Sequence, residues 1–457
     1  MVRKNRNPHL PPIVHLGAEH EVTGSCHLLQ TNGLNILVDC GLPQGRDKTR
    51  PIENWPVRPS DIDYVFITHA HIDHIGRLPF LIKLGFKGEI LTTHPTKQLI
   101  IPMLEDAMGF PEMQVDQTEE LIQILDQLTW GFEFGQTFDL KNGIRFSFKR
   151  AGHILGSCFI RLENSDPRWS VIFSGDLGAG HQPLIVDPEP PDPCDLLVLE
   201  STYGDTVHEA RNQRVERLGA VLERAVADGG KVFIPAFALG RTQMLIHDLH
   251  RLGTDRDLRD KFPNLDIGSK LPVFLDSPLG KEVTETYRRL ADFWDSQARD
   301  ALQSGENPLD FEKLYATAST RSHDELLRIP GPHIILAGSG MCTGGRIIDH
   351  LKFGLEDPRN DIVFIGYQAE GTTGRAIIQQ GNRPDAAVQL EDQCYAIRAK
   401  VHSISGYSAH ADQREIVAWV SAMPEKPGSI KLVHGEPAAQ QSLADHLRSK
   451  GFVVEND

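Results

Sequence analysis

The stretch Tyr64–His74 joins an apolar run of strand length, Tyr64-Val65-Phe66-Ile67-Thr68, directly to His69-Ala70-His71-Ile72-Asp73-His74. Three histidines and an aspartate at the mouth of a buried strand constrain the fold: the strand must be rigid, and the polar cluster needs a common partner. Alternate residues of an extended segment face one side, so His69 and His71 can grip one ion together. Asp73 and His74 stand where the chain turns into a helix and can reach a second ion nearby. A solvated loop rich in histidine is the plain alternative, and the density and placement favour metal.

Four further residues share one kind of position. Asp39 follows the run NILV, Asp176 follows SVIFSG, Glu200 ends DLLVL, and His434 follows SIKLV. A sheet can aim side chains at one point from distant parts of the sequence through its strand ends. One acidic residue at a strand end is usually a turn former. Several of them beside a histidine cluster read as a site. His153, in Ala151-Gly152-His153-Ile154-Leu155-Gly156-Ser157, adds a histidine in a glycine-flanked turn, either ligand or surface loop.

Strand-length apolar runs, separated by Gly, Pro and Asp, recur through the first two hundred or so residues: NILVDCG, DYVFITH, IRFSFKRAGH, SVIFSGD and DLLVLEST. The pattern predicts a helix from about Asp73 through Leu84 with Gly85 as its C-cap, and two more near residues 96–108 and 117–128. The middle of the chain reads as helix, buried strand, helix over NQRVERLGAVLERAVADGGKVFIPAFALGRTQMLIHDLHRL. The same alternation continues through LPVFLDS, HIILAGSG, GGRIIDHLKFGL and NDIVFIGY, which implies a parallel sheet flanked by helices. The last sixty or so residues return to strands and one final helix around AAQQSLADHLRSKG. Boundaries fall near residues 206 and 400, giving parts 1–205, 206–400 and 401–457.

At 457 residues more than one domain is expected. The six cysteines are scattered without a C-x-x-C pair, which points to reduced thiols in a cytoplasmic compartment. The basic N-terminus MVRKNRNPHLPPIVHLG has no long apolar stretch, so neither a signal peptide nor membrane association is expected.

Together these motifs resemble the metallo-β-lactamase fold, whose H-x-H-x-D-H signature stands here as His69 to His74. Three downstream segments are similar to the β-CASP subgroup of nucleases. Glu200-Ser201-Thr202-Tyr203-Gly204-Asp205 resembles its acidic motif A, Ser405-Gly406-Tyr407-Ser408-Ala409-His410-Ala411-Asp412 its histidine motif B, and Leu432-Val433-His434-Gly435-Glu436 its motif C. The resemblance covers nearly the whole chain. It implies an α/β protein: an αββα sandwich interrupted by a β-CASP domain. It implies two Zn2+ ions, with His69, His71 and His153 on the first, Asp73, His74 and His434 on the second, and Asp176 bridging them. Asp39 resembles the carboxylate that orients a ligand or the bridging water. Histidine at motif C, where DNA-directed relatives carry valine, points to single-stranded RNA. The chain is similar to compact relatives of the mRNA 3′-end-processing endonuclease, and is expected to lack an N-terminal KH region and the C-terminal extension of the RNase J branch. A homodimer is a further expectation, with no interface located by the sequence.

The implied chemistry is attack on phosphorus by a hydroxide shared between two zinc ions, endonucleolytic, with 5′-to-3′ exonuclease activity as an extension. His410 is the candidate proton donor to the leaving ribose oxygen, with Glu200 fixing its tautomer and raising its pKa. The segment Gly338–Arg346 follows a strand and opens a helix, where backbone N–H groups can hold phosphate. Glycine content alone reads it as a tight turn, and the resemblance favours phosphate contact through Ser339 and Arg346. Arg241 is a weaker candidate of the same kind. The net charge of −15 requires any basic face for RNA to be local. Two other readings compete: a small-molecule metallo-hydrolase, which needs no insertion of such size, and a non-catalytic RNA-binding scaffold, which would not need every ligand intact.

Overall fold

The structure, a computed structural model, describes residues 9–108, 118–317 and 319–455. The first eight residues of the basic N-terminus and the expected start of a helix at residue 117 lie outside them. The chain divides into two compact units, one made of residues up to Val207 with those from His410 onward, the other of His208–Ala409.

Among its described residues the first unit holds two six-stranded sheets. One runs Ile13–Gly17, Cys26–Thr31, Leu34–Val38, Tyr64–Phe66, Glu89–Thr93, Thr129–Phe132; the other runs Ser429–Val433, Leu196–Glu200, Arg168–Phe173, Cys158–Ser165, Ile144–Arg150, Thr137–Asp139. They pack face to face. Leu29, Ile36, Val38 and Phe66 of the first sheet share one buried cluster with Phe146, Ile160, Trp169, Phe173 and Val198 of the second. The alternating runs of the sequence supply this inner layer, since every second residue of a strand faces it. On the outer face of the second sheet, Leu197, Leu199, Ile430 and Leu432 bury Ile416, Trp419, Leu443 and Leu447 from the helices Gln413–Ser421 and Pro437–Ser449.

Two local expectations are corrected. The helix expected from Asp73 to Leu84 is two short helices, Ile72–Ile75 and Leu78–Lys83. Pro79 has no N–H and its ring would strike the carbonyl of Ile75, so it opens a new helix rather than continuing one. Leu84 is the C-cap, and Gly85, at φ +100°, takes the left-handed place after it. The helix Gln413–Ser421 was not expected. Asp412 caps it, accepting from Glu415 N while Glu415 answers to Asp412 N. Reading Asp412 as part of motif B hid this capping box.

The second unit is built on a six-stranded, wholly parallel sheet ordered Leu314–Ala316, Val273–Asp276, His333–Ala337, Lys231–Pro235, Asp361–Phe364, Lys400–Ser403. Helices Arg214–Val226, Arg241–Thr254 and Arg346–Gly354 are among those that alternate with the strands, as the sequence implies. Among the described residues no helix is long and apolar enough to cross a membrane.

Candidate metal centre

Every one of the sequence-predicted metal residues lies in the first unit, and they converge. His69, His71, Asp73 and His74 follow the strand Tyr64–Phe66; His153 sits in the turn between Ile144–Arg150 and Cys158–Ser165. Asp176 follows Arg168–Phe173, and His434 follows Ser429–Val433. His69, His71, His153 and Asp176 form one group that could hold an ion, and Asp73, His74 and His434 a second. His69, His74, His153, Asp176 and His434 are all buried.

Asp176 stands between the groups. Its Oδ2 lies 3.5 Å from His69 Nε2 and 3.6 Å from His153 Nε2. Its Oδ1 lies 3.4 Å from His74 Nε2 and 3.4 Å from His434 Nε2. Asp73 Oδ2 completes the second group, 3.8 Å from His74 Nε2 and 3.7 Å from His434 Nε2. Zinc takes nitrogen and oxygen at about 2.0–2.1 Å in a tetrahedron, which sets ligand atoms roughly 3.3 Å apart. The observed spacings are of that kind. His74 Nε2, Asp176 Oδ1 and His434 Nε2 are buried without a hydrogen bond, a cost that a cation at their common focus would remove. Nitrogen-rich sites with carboxylates suit zinc better than magnesium.

The surrounding chain fixes these rings. His74 Nδ1 lies 2.7 Å from Asp39 Oδ2. Asp39 also accepts from Thr68 N at 2.9 Å and Thr68 Oγ1 at 3.0 Å, and from Ser25 Oγ at 3.1 Å. His434 Nδ1 lies 3.0 Å from Thr202 Oγ1. These contacts direct each Nε2 toward the focus. Asp39 and His434 both hold left-handed backbone, at φ +61° and +52°, a strain commonly retained where a side chain must be aimed. Two glycines let the loops close: a Cβ on Gly41 would lie 1.5 Å from Asp73 O, and one on Gly178 would lie 1.7 Å from Gly152 O. Sequence reasoning missed Thr68, Thr202, Ser25 and both glycines. The adjacency of Thr68 to the histidine cluster was the one available signal.

Burial and imidazoles shape the electrostatics. Burial disfavours charge on Asp176, but His434, His74, His410 and His69 around it hold its carboxyl well below the usual range. Burial likewise opposes a charged His74, yet the carboxylates of Asp176, Asp39 and Asp73 hold its pKa well above the ordinary value. Burial pushes His69 well below. Anionic carboxylates among imidazoles present the charge that a divalent cation balances.

His410 and Glu200 adjoin this centre. His410 Nδ1 lies 3.3 Å from Glu200 Oε1, and its Nε2 lies 3.8 Å from Asp176 Oδ2. Glu200 is pinned by Leu177 N at 2.6 Å and Thr202 N at 3.3 Å. His410 is bridged to Gly178.

The remaining candidates lie in the second unit. Arg346 opens the helix Arg346–Gly354 behind Gly345, and its NH1 donates to Asp276 Oδ1 at 2.7 Å and to Thr317 O at 3.0 Å. Ser339 Oγ accepts from Thr343 N at 2.9 Å, folding the glycine loop on itself. Arg241 is buried, and its NH1 donates to the carbonyl of Tyr407. Asp276, His323 and His350 form a further His/Asp group, but there His323 Nδ1 and His350 Nε2 each stand 2.6 Å from Asp276 Oδ2. That is short hydrogen bonding, not ligand spacing. Burial disfavours the Asp276 charge, and bonds from His350, Thr317, His323 and Arg346 hold it far below the usual range.

The chain matches three family profiles: the metallo-β-lactamase superfamily over residues 21–236, the β-CASP domain over 242–377, and the zinc-dependent metallo-hydrolase RNA specificity domain over 395–456. It is 36% identical to Ribonuclease TTHA0252 of Thermus thermophilus across 97% of both chains. The chain belongs to the metallo-β-lactamase/β-CASP family of RNA-processing nucleases. This family also contains the transcription termination factor FttA of Pyrococcus horikoshii, 32% identical over 96% of this chain and 68% of that one. FttA of Methanocaldococcus jannaschii is 30% identical over 95% of this chain and 68% of its own. A crystal structure of an Enterococcus faecalis protein of unknown function matches at TM-score 0.54 and 10% identity, covering 97% of each chain, a likeness of fold alone. The β-CASP assignment agrees with the α/β architecture and the His/Asp clusters described above.

Proposed function

We propose that the protein is a zinc-dependent ribonuclease that hydrolyses phosphodiester bonds of single-stranded RNA internally with two metal ions. The partition of Asp176 carries the reading: one oxygen faces His69 and His153, the other His74 and His434, at 3.4–3.6 Å. In this reading His69, His71 and His153 would hold one zinc and Asp73, His74 and His434 the other, with Asp176 able to serve both. Zinc bound there would polarise a phosphate oxygen and acidify a water molecule near neutral pH.

The chain's own groups do the rest. Asp39 accepts the His74 Nδ1 proton and so leaves Nε2 free to ligate. Glu200 accepts from His410 Nδ1–H, and the doubly protonated ring would deliver its Nε2 proton to the departing ribose oxygen. Ser339 and the free edge of the Arg346 guanidinium hold backbone phosphates, with Asp276 fixing the other edge. Arg241, buried with its NH1 donating to the Tyr407 carbonyl, is the weaker candidate for a contact of the same kind.

The test is to incubate zinc-loaded protein with end-labelled RNA, the matching DNA and a β-lactam. Internal cuts in RNA alone, leaving 5′-phosphates, support the proposal; a ladder shortening from the 5′ end adds exonuclease action. Turnover of the lactam with intact RNA would replace it with a small-molecule hydrolase.

A further inference from the structure

His27 is a fully enclosed histidine for which the chemistry above has no use. It lies in the strand Cys26–Thr31, paired with His15 of Ile13–Gly17, and its ring stacks on Phe173 at 6.1 Å between centroids. His27 Nδ1 is 2.9 Å from His15 Nδ1, and its Nε2 is 3.4 Å from Ser25 Oγ. Ser25 Oγ is 3.1 Å from Asp39 Oδ2, the oxygen that also meets His74 Nδ1.

The direction of each proton follows by elimination. Asp39 is an acceptor only, so the Ser25 hydroxyl proton points at Oδ2. That proton being spent, Ser25 Oγ can only accept from His27, which must carry its hydrogen on Nε2. Burial holds the His27 pKa well below the ordinary value, with His15, His434 and His74 adding to the effect, so the ring is neutral and Nδ1 is bare. His15 must then donate from its own Nδ1. Every hydrogen in the series points toward the metal centre.

From this geometry we infer that Ser25, His27 and His15 are positioning residues for the second metal, a one-way hydrogen-bond chain holding Asp39, and through it His74, in ligating orientation. The chain runs across the first sheet from a half-buried strand at its edge. It rests on His74 being a ligand, as proposed above. Thr68 fixes Asp39 from one side and Ser25 from the other, so the carboxylate cannot rotate away from the imidazole.

The experiment is a double-mutant cycle in the full-length protein, read as zinc affinity by competition with a chromophoric chelator. Ser25→Ala is expected to weaken the more labile zinc about tenfold, the lower end of what outer-sphere partners contribute. His27→Gln is expected to weaken it less, and to add nothing in the Ser25→Ala background, because the serine hydroxyl is its hydrogen-bonded route to Asp39. Additive losses, or a Ser25→Ala affinity equal to wild type, overturn the proposal. Histidine-selective 15N spectra of the metal-free wild type give a second readout that needs no variant: His27 must be the Nε2–H tautomer, and a signal for Nδ1–H overturns the chain directly. His74→Ala separates the two readings, since full zinc content there removes His74 as a ligand while leaving the tautomer result to stand on its own.

Discussion

His410→Ala is the substitution that most sharply separates chemistry from metal binding. The ring lies 3.8 Å from Asp176 Oδ2, farther than the 3.4–3.6 Å of His69, His74, His153 and His434. Its side chain is 16% exposed, whereas theirs are 0–4%. In the proposed reading it faces substrate, although with Asp176 and Glu200 it forms a further group that could hold an ion, and its removal leaves the two groups assigned to zinc complete. Loss of a positioned general acid costs about 10² to 10⁴ in rate, or about 3 to 5 kcal/mol of barrier. We expect single-turnover cleavage to fall by that factor with zinc content, by elemental analysis, unchanged. RNA carrying sulfur in place of the 3′-bridging oxygen at the cut site supplies the decisive comparison. A thiolate leaves without a proton, so the variant should cleave that substrate within about tenfold of wild type. Equal impairment on both substrates, or loss of zinc, would refute the assignment.

Replacing Asp73 and His74 together by Ala should lower zinc per chain, measured on the purified protein, because it removes two of the three donors of the second group. His434→Ala should abolish most RNA cleavage with thermal unfolding little changed; near-normal turnover would take it out of the centre. Arg346→Ala should raise the Kd for RNA about tenfold and lower the slope of log affinity against log salt by about one, since one phosphate contact is lost. In the second unit Arg214 donates to Asp248 at 2.8 Å, and although burial opposes its charge, Asp248 is held at about 2. A depressed folded pKa stabilises above the unfolded value near 4 and is lost as pH falls toward 2. The advantage of wild type over Asp248→Asn in urea unfolding should therefore be about 3 kcal/mol or more at neutral pH and shrink across that window.

The strands and the placement of the candidate ligands at their ends were legible because both depend on period. The run Tyr64–Ile67 is apolar throughout, hence buried on both faces, and the polar residues next along the chain must emerge past the strand end. Asp39, Asp176, Glu200 and His434 were readable by the same rule, each standing at or just past a strand end. The features that escaped reading depend on contacts distant in sequence. Thr202 stands in the motif A segment, but its partner His434 lies 232 positions away, and nothing in the local sequence names that partner. The break at Gly76 and Arg77 was a failure of another sort: the apolar spacing suits one helix, but Pro79 overrides periodicity. Gly41 and Gly178 went unread because a glycine's purpose lies in the backbone that passes it.

The His/Asp groups among the described residues show why residue type alone cannot identify a metal centre. Asp276 with His323 and His350 has the composition of a ligand set and complete burial. Its 2.6 Å contacts nonetheless exhaust the carboxylate, and the Arg346 guanidinium at 2.7 Å already supplies the positive charge. A cation there would have to displace two short hydrogen bonds and stand beside an arginine. Around Asp176 Oδ1 the donors stand off by nearly an ångström more and keep buried atoms without hydrogen bonds. Spacing therefore separates them: the donors around Asp276 have satisfied one another, and those facing Asp176 Oδ1 stand apart around a shared focus that fits an ion.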